Sequence, residues 1–110
     1  MIRDVMDTPI NAKAALLQEL LRGEGYGLQL IERVKKRTQG SVSLHMGNTY
    51  PALRELEKEG LAKSWEGEPV PERGGRPRRF YKITAAGRRA AMEQTETVAD
   101  LFGLLPEVAR

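Results

Sequence analysis

The side chains of this chain that could do chemistry are donors and cations rather than nucleophiles. There is no cysteine and a single histidine, His45, in 110 residues, which removes thiolate chemistry, disulfides and a histidine-rich metal cluster. The carboxylates lack a partner for acid–base work and no glycine-rich phosphate loop is present, so neither an enzyme, a cofactor nor a bound metal is expected. His45 lies between Leu44 and Met46 and reads as a structural or surface residue. Two groups of side chains remain. Asn48, Thr49, the Tyr50 hydroxyl and Pro51, with Arg54 one turn further on, are of the kind that read base edges and hold phosphates. Arg73, Arg76, Arg78 and Lys82 surround Gly74-Gly75 and Pro77; the glycines let the backbone approach a phosphate chain or a minor groove while arginines reach across.

The charge distribution agrees with a polyanionic partner. The net charge is only +3, but it is concentrated. Gly27 to Gly40 holds Arg33, Lys35, Lys36 and Arg37 against Glu32, and Glu68 to Thr84 holds Arg73, Arg76, Arg78, Arg79 and Lys82 against Glu68 and Glu72. Each segment carries +3 and the remainder −3, the footprint that nucleic-acid binding requires. The 40% hydrophobic and 30% charged content fits one globular domain with a modest core. No apolar run approaches the roughly 18 to 20 residues that cross a bilayer. Met1-Ile2-Arg3-Asp4 does not open a signal peptide, so a cytoplasmic location is expected.

These side chains need elements to position them. Asn11 caps a first helix whose leucines and alanines cover a wide apolar face and which Gly23-Glu24-Gly25 breaks. A second helix is predicted from about Tyr26 to Arg37, with Leu28, Leu30, Ile31 and Val34 facing in and the basic group at its end facing out. Ser41 to His45 alternates like a very short strand. The recognition helix follows. Asn48 or Thr49 caps it, Pro51 falls in its opening turn, Tyr50, Leu53 and Leu56 form its seam, and Gly60 ends it. Leu61 to Glu66 and Arg79 to Ile83 read as antiparallel strands, joined by an extended loop from Gly67 to Pro77 that holds three prolines and three glycines.

A hairpin with a basic tip beside a recognition helix is a wing, and the predicted class is mainly α with a small β hairpin: a winged helix-turn-helix over residues 1–84. Thr84 caps a last helix over residues 85–110, whose stripe of Ala91, Thr95, Val98, Leu101, Phe102 and Leu105 is longer than the core of so small a domain needs. A two-fold dimer built on that helix would present two recognition helices to two half-sites.

From Leu16 to Gly87 the chain resembles the PadR-like winged-helix transcriptional regulators. The resemblance is carried by Gly25-Tyr26-Gly27, by Gly47-Asn48-Thr49-Tyr50-Pro51-Ala52-Leu53 with Leu56-Glu57-Lys58-Glu59-Gly60-Leu61, and by Gly75-Arg76-Pro77-Arg78-Arg79-Phe80-Tyr81-Lys82-Ile83-Thr84 with Gly87. It implies a homodimeric, sequence-specific repressor on a two-fold DNA operator, released in some members by phenolic or other small aromatic effectors. Tyr50 and its neighbours then look like groove-facing residues, and Arg76 and Arg78 like wing contacts. The wing looks long for the family, with Glu68-Pro69-Val70-Pro71-Glu72 added before its tip. A winged-helix protein-interaction module without a DNA target is the alternative, which the arginine-rich wing opposes.

Overall fold

The computed structural model describes residues 11–102, with side-chain surroundings through residue 96. Helix α1 spans Ala12–Arg22. The Asn11 side-chain oxygen accepts a hydrogen bond from the Ala14 N–H at 2.8 Å, satisfying one of the donors a helix start leaves open. Helix α2 spans Gly27–Thr38 and stops where Gln39 (φ 52°) and Gly40 (φ 81°) turn left-handed. Of its four expected inward residues, Leu30 and Val34 are buried and Ile31 half-buried, whereas Leu28 is exposed.

Helix α3 spans Met46–Lys58, so the recognition helix begins before Asn48. His45 is the cap, and Asn48, in the first turn, reaches back to accept the His45 N–H at 2.9 Å. Ser41 to His45 forms no strand. Its hydrogen bonds go back to the end of α2, from the Ser41 N–H and hydroxyl to the Thr38 carbonyl at 3.0 and 2.8 Å. The earlier start places Pro51 in the second turn, where it withholds the N–H that the Gly47 carbonyl would have accepted. Both residues are on the solvent side, so water can replace that bond. At the other end Gly60 (φ 78°) lets the Leu61 N–H reach the Leu56 carbonyl at 2.9 Å and the Gly60 N–H that of Glu57 at 3.0 Å, a Schellman closure.

Strand β1 is only Gly25–Tyr26, β2 is Ala62–Pro69 and β3 is Pro77–Ile83. The sheet is antiparallel in the order β1-β3-β2. The expected hairpin thus gains a third strand and is longer than its two predicted strands. Beyond Glu66↔Arg79 the pairing resumes at Pro69↔Pro77 after a bulge, so the two ends of the expected loop belong to the strands and the loop itself is residues 70–76. The core lies between the three helices and the inner sheet face: Leu16, Leu20, Leu30, Leu53 and Leu56 are essentially sealed, joined by Ala62 and Tyr81.

Helix α4 spans Ala85–Phe102. The Thr84 hydroxyl oxygen accepts the Gly87 N–H at 3.0 Å while its proton goes to the Gly60 carbonyl at 2.6 Å. One side chain therefore closes α3 and opens α4. Two glutamines stitch α4 to α1: the Gln18 amide donates to the Ala91 carbonyl at 2.7 Å and the Gln94 amide to the Ala14 carbonyl at 2.9 Å. Ala91 is fully buried in this chain's own core, which corrects its placement on a dimerisation stripe. Thr95 is exposed and its hydroxyl bonds the Ala91 carbonyl at 3.0 Å. The side chains of Val98, Leu101 and Phe102, and all of Leu105, lie outside the described residues.

Candidate nucleic-acid interface

The buried side of α3 decides which residues it can offer outward. Thr49, Ala52, Leu53 and Leu56 are its buried residues, at the spacing of one helical face. Thr49 is therefore a core residue, fully buried and bonded to the Asn48 side chain at 3.2 Å; it is not on the free face. Tyr50 is half-buried against the core, with the hydroxyl end of its ring against Gly27. A Cβ at Gly27 would stand 2.6 Å from that hydroxyl, so Tyr50 spaces α3 from α2 rather than presenting its hydroxyl to a groove. Asn48 is half-buried and tied at both ends, its amide donating to the Ser43 carbonyl at 3.1 Å.

The opposite face carries Gly47, Pro51, Arg54 and Lys58, all exposed and spaced by four, three and four residues, with Met46 55% exposed at the helix start. Arg54 and Lys58 make no ion pair among the described residues, whereas Glu55 and Glu59 both pair with Lys13 of α1, at 3.4 and 2.6 Å. The Lys13 ammonium is held above its usual range by the Glu59 hydrogen bond first and Glu55 second. The outward stripe of α3 thus keeps its cations and has its neighbouring anions drawn aside. Of the expected groove residues Pro51 and Arg54 lie on this stripe. Gly47, Lys58 and Met46 were not anticipated, although the 47–51–54–58 spacing is legible once the buried face is known.

The wing brings its arginines together unequally. Its tip is folded: Pro71–Arg73 form a single 3₁₀ turn, and the Arg73 and Gly75 N–H groups donate to the Val70 carbonyl at 2.9 and 3.0 Å. Gly74 (φ 70°) and Gly75 (φ 85°) complete it with open space about both Cα atoms. Arg76 is exposed, with its Nε on the Arg73 carbonyl at 2.9 Å. Arg73 is half-buried with an unpartnered Nε. Arg78 lays its guanidinium 4.6 Å from the centre of the Tyr26 ring. Lys82 is exposed and directly opposite Lys63, also exposed, so like charges stand side by side on the sheet, a mildly repulsive pair. Arg79 is occupied by the Ser64 hydroxyl at 2.9 Å and, more distantly, by Glu66 at 3.8 Å.

The basic end of α2 is not part of this surface as expected. The Glu19 carboxylate, 2% exposed, accepts the Arg33 Nε at 3.0 Å and the Arg37 Nε and Nη2 at 2.9 and 3.1 Å. Arg33 further donates to the Gly23 and Glu24 carbonyls at 2.9 Å each, closing the end of α1. Burial alone would raise the Glu19 carboxyl, but the hydrogen bonds from Arg37 and then Arg33 outweigh it and hold it below the ordinary carboxylate range. Only Lys35 and Lys36 of that group stay free of ion pairs among the described residues.

Comparison with known proteins agrees with the fold that carries these side chains. The model of the transcriptional regulator PadR-like family matches residues 16–93. The fold is similar to that of a transcriptional regulator from Clostridium thermocellum, at TM-score 0.72 and 22% identity with 90% of both chains covered. It is also similar to a PadR family transcription regulator from Clostridium difficile, at TM-score 0.67 and 20% identity over 90% of this chain and 98% of the other. In sequence, an uncharacterized protein of Lysinibacillus sphaericus is 25% identical over 93 residues, 79% of this chain and 83% of its own.

Proposed function

From the premise that this chain belongs to the PadR-like family of transcriptional regulators, we propose that it is a homodimeric, sequence-specific repressor that places α3 in the major groove and the wing along the flanking backbone. The observation that carries this reading is the outward stripe of Gly47, Pro51, Arg54 and Lys58 on a helix whose adjacent glutamates are taken up by Lys13. Gly47 permits a close approach, Arg54 is long enough to reach base edges, and Lys58 meets phosphate. Arg76 at the folded wing tip supplies the second anchor. Met92, 62% exposed on α4, supports pairing of two chains through that helix, which spaces two recognition helices for a two-fold site. Operator occupancy would then exclude the transcription machinery, and a small aromatic effector would release it.

The test is fluorescence-anisotropy titration of duplex DNA from upstream of the protein's own gene, against a scrambled duplex of equal length and across salt. Specific binding is expected to exceed the scrambled duplex by about 10³-fold or more, with affinity falling steeply with salt. Equal binding to both, at this site and at other candidate promoters, would remove sequence specificity. No binding at low salt would favour a protein-interaction module.

A further inference from the structure

The outer face of the sheet carries a feature that DNA binding does not use. Strand alternation sends Tyr81 into the core and Phe80 to the opposite side. There Tyr26, Phe80 and Trp65 occupy one row across the three strands, Tyr26↔Phe80 and Trp65↔Phe80 being register partners. Phe80 stacks on Trp65 at 5.8 Å and meets Tyr26 edge-on at 5.4 Å. Gly67 makes room for the ring, since a Cβ there would lie 2.6 Å from Phe80. All three aromatics remain half-buried and stand outside the main core.

Beside this row, where the bulge after Glu66 lifts β2 from β3, lies a groove of about 640 Å³. Its apolar wall is Trp65, Phe80, Val70 and Pro71. Its charged lining is lopsided: Glu24, Glu66 and Glu68 against Arg78 alone. That guanidinium already lies over the Tyr26 ring. Glu24 and Glu68 have no ion-pair partner among the described residues, and Glu66 only the 3.8 Å contact with Arg79. In a protein of net charge +3, this is a local negative site with aromatic walls.

We propose that this groove at the root of the wing binds an organic cation with an aromatic or bulky apolar body. The apolar body would cover Trp65, Val70 and Pro71, and the positive centre would be shared between the aromatic faces and the carboxylates of Glu24 and Glu68. Cations are held on aromatic faces by the ring quadrupole, and desolvation in a groove strengthens that attraction. The Arg78 guanidinium on Tyr26 is the same interaction made within the chain. An anionic ligand of equal shape would meet three carboxylates against one guanidinium and is disfavoured on charge. The binding does not depend on the DNA-binding reading and is measured without DNA.

Trp65 is the only tryptophan and reports on its own site. The probe is tetraphenylphosphonium, with tetraphenylborate as its anionic counterpart of the same shape, each followed by Trp65 fluorescence and by equilibrium dialysis. A saturable fluorescence change that matches retention in dialysis is expected for the cation only. The double variant Glu24→Gln, Glu68→Gln removes exposed carboxylates outside the core and should raise the dissociation constant about tenfold or more with an unchanged thermal melt. Three results would overturn the proposal: no retention of the cation, retention that leaves Trp65 unaffected, or equal affinity for the borate. Unchanged affinity in the double variant would do so as well.

Discussion

Glu19 shows how far a single side chain departs from what its neighbourhood in sequence suggests. It sits among leucines on the buried face of α1 and holds Arg33 and Arg37, 14 and 18 residues away. Because its folded carboxyl lies below the ordinary value of 4.5, the unfolded chain takes up the proton more readily. The stability it contributes is therefore present above about pH 4.5 and lost as the pH falls through the lower folded value. Glu19→Gln should lower stability at pH 7 by about 2 kcal/mol, a figure limited by the partial exposure of both arginines. Its urea midpoint should also change less than wild type between pH 6 and 3. An unchanged acid transition would show that the triad is not what fails first. At the DNA surface, Arg54→Ala should cost about 1 to 3 kcal/mol on a specific site and little on random sequence if the residue reads a base. Arg76→Ala should weaken both equally and make the salt dependence shallower by about one counterion per subunit. Equal effects of the two changes on both duplexes would dissolve this division between helix and wing.

Elements that are set by local chemistry were legible from sequence, and those set by distant contacts were not. Asn11 capping α1, Gly60 closing α3 and Thr84 opening α4 each act within four residues, and all three do so in the structure. The start of α3 lies earlier than its side chains suggest, because Asn48 satisfies the His45 N–H from inside the first turn instead of capping from outside. Thr49 and Tyr50 consequently looked like groove residues, when one is core and the other spaces two helices. Strand β1 is two residues long and has no periodicity to detect; only its pairing with β3 defines it. The PadR-like motifs, in contrast, implied the winged-helix class that the fold shows. The start of α4 is packed tightly at Gly87. A Cβ there would collide with the Leu61 carbonyl, which is backbone and cannot swing aside. Gly87→Ala should therefore cost about 3 kcal/mol or lift α4 from the α3–β2 turn. A melting temperature within 2 °C of wild type, roughly 0.5 kcal/mol or less, would mean that the turn yields at little cost.

For the whole molecule, the reach of a single copy is limited by where its apolar surface ends. The core takes up Ala91 from α4 and leaves Met92, the next residue, 62% exposed. Two glutamines fix α4 against α1 through backbone carbonyls, so the helix is held in place and its outer face is not needed for that purpose. In the proposed dimer this held helix with its uncovered methionine is the surface that meets the second copy, and two-fold pairing there would couple two weak half-site contacts into one strong one. Met92→Glu places a charge in that contact while leaving the buried core untouched. If α4 pairs the chains, the variant should sediment at half the wild-type mass at micromolar concentration. Its affinity for a two-fold operator should fall by about 10²-fold or more, and its affinity for a single half-site should be unchanged. Loss of half-site affinity would instead point to damage within the winged helix, and wild-type mass for the variant would place the dimer contact away from Met92.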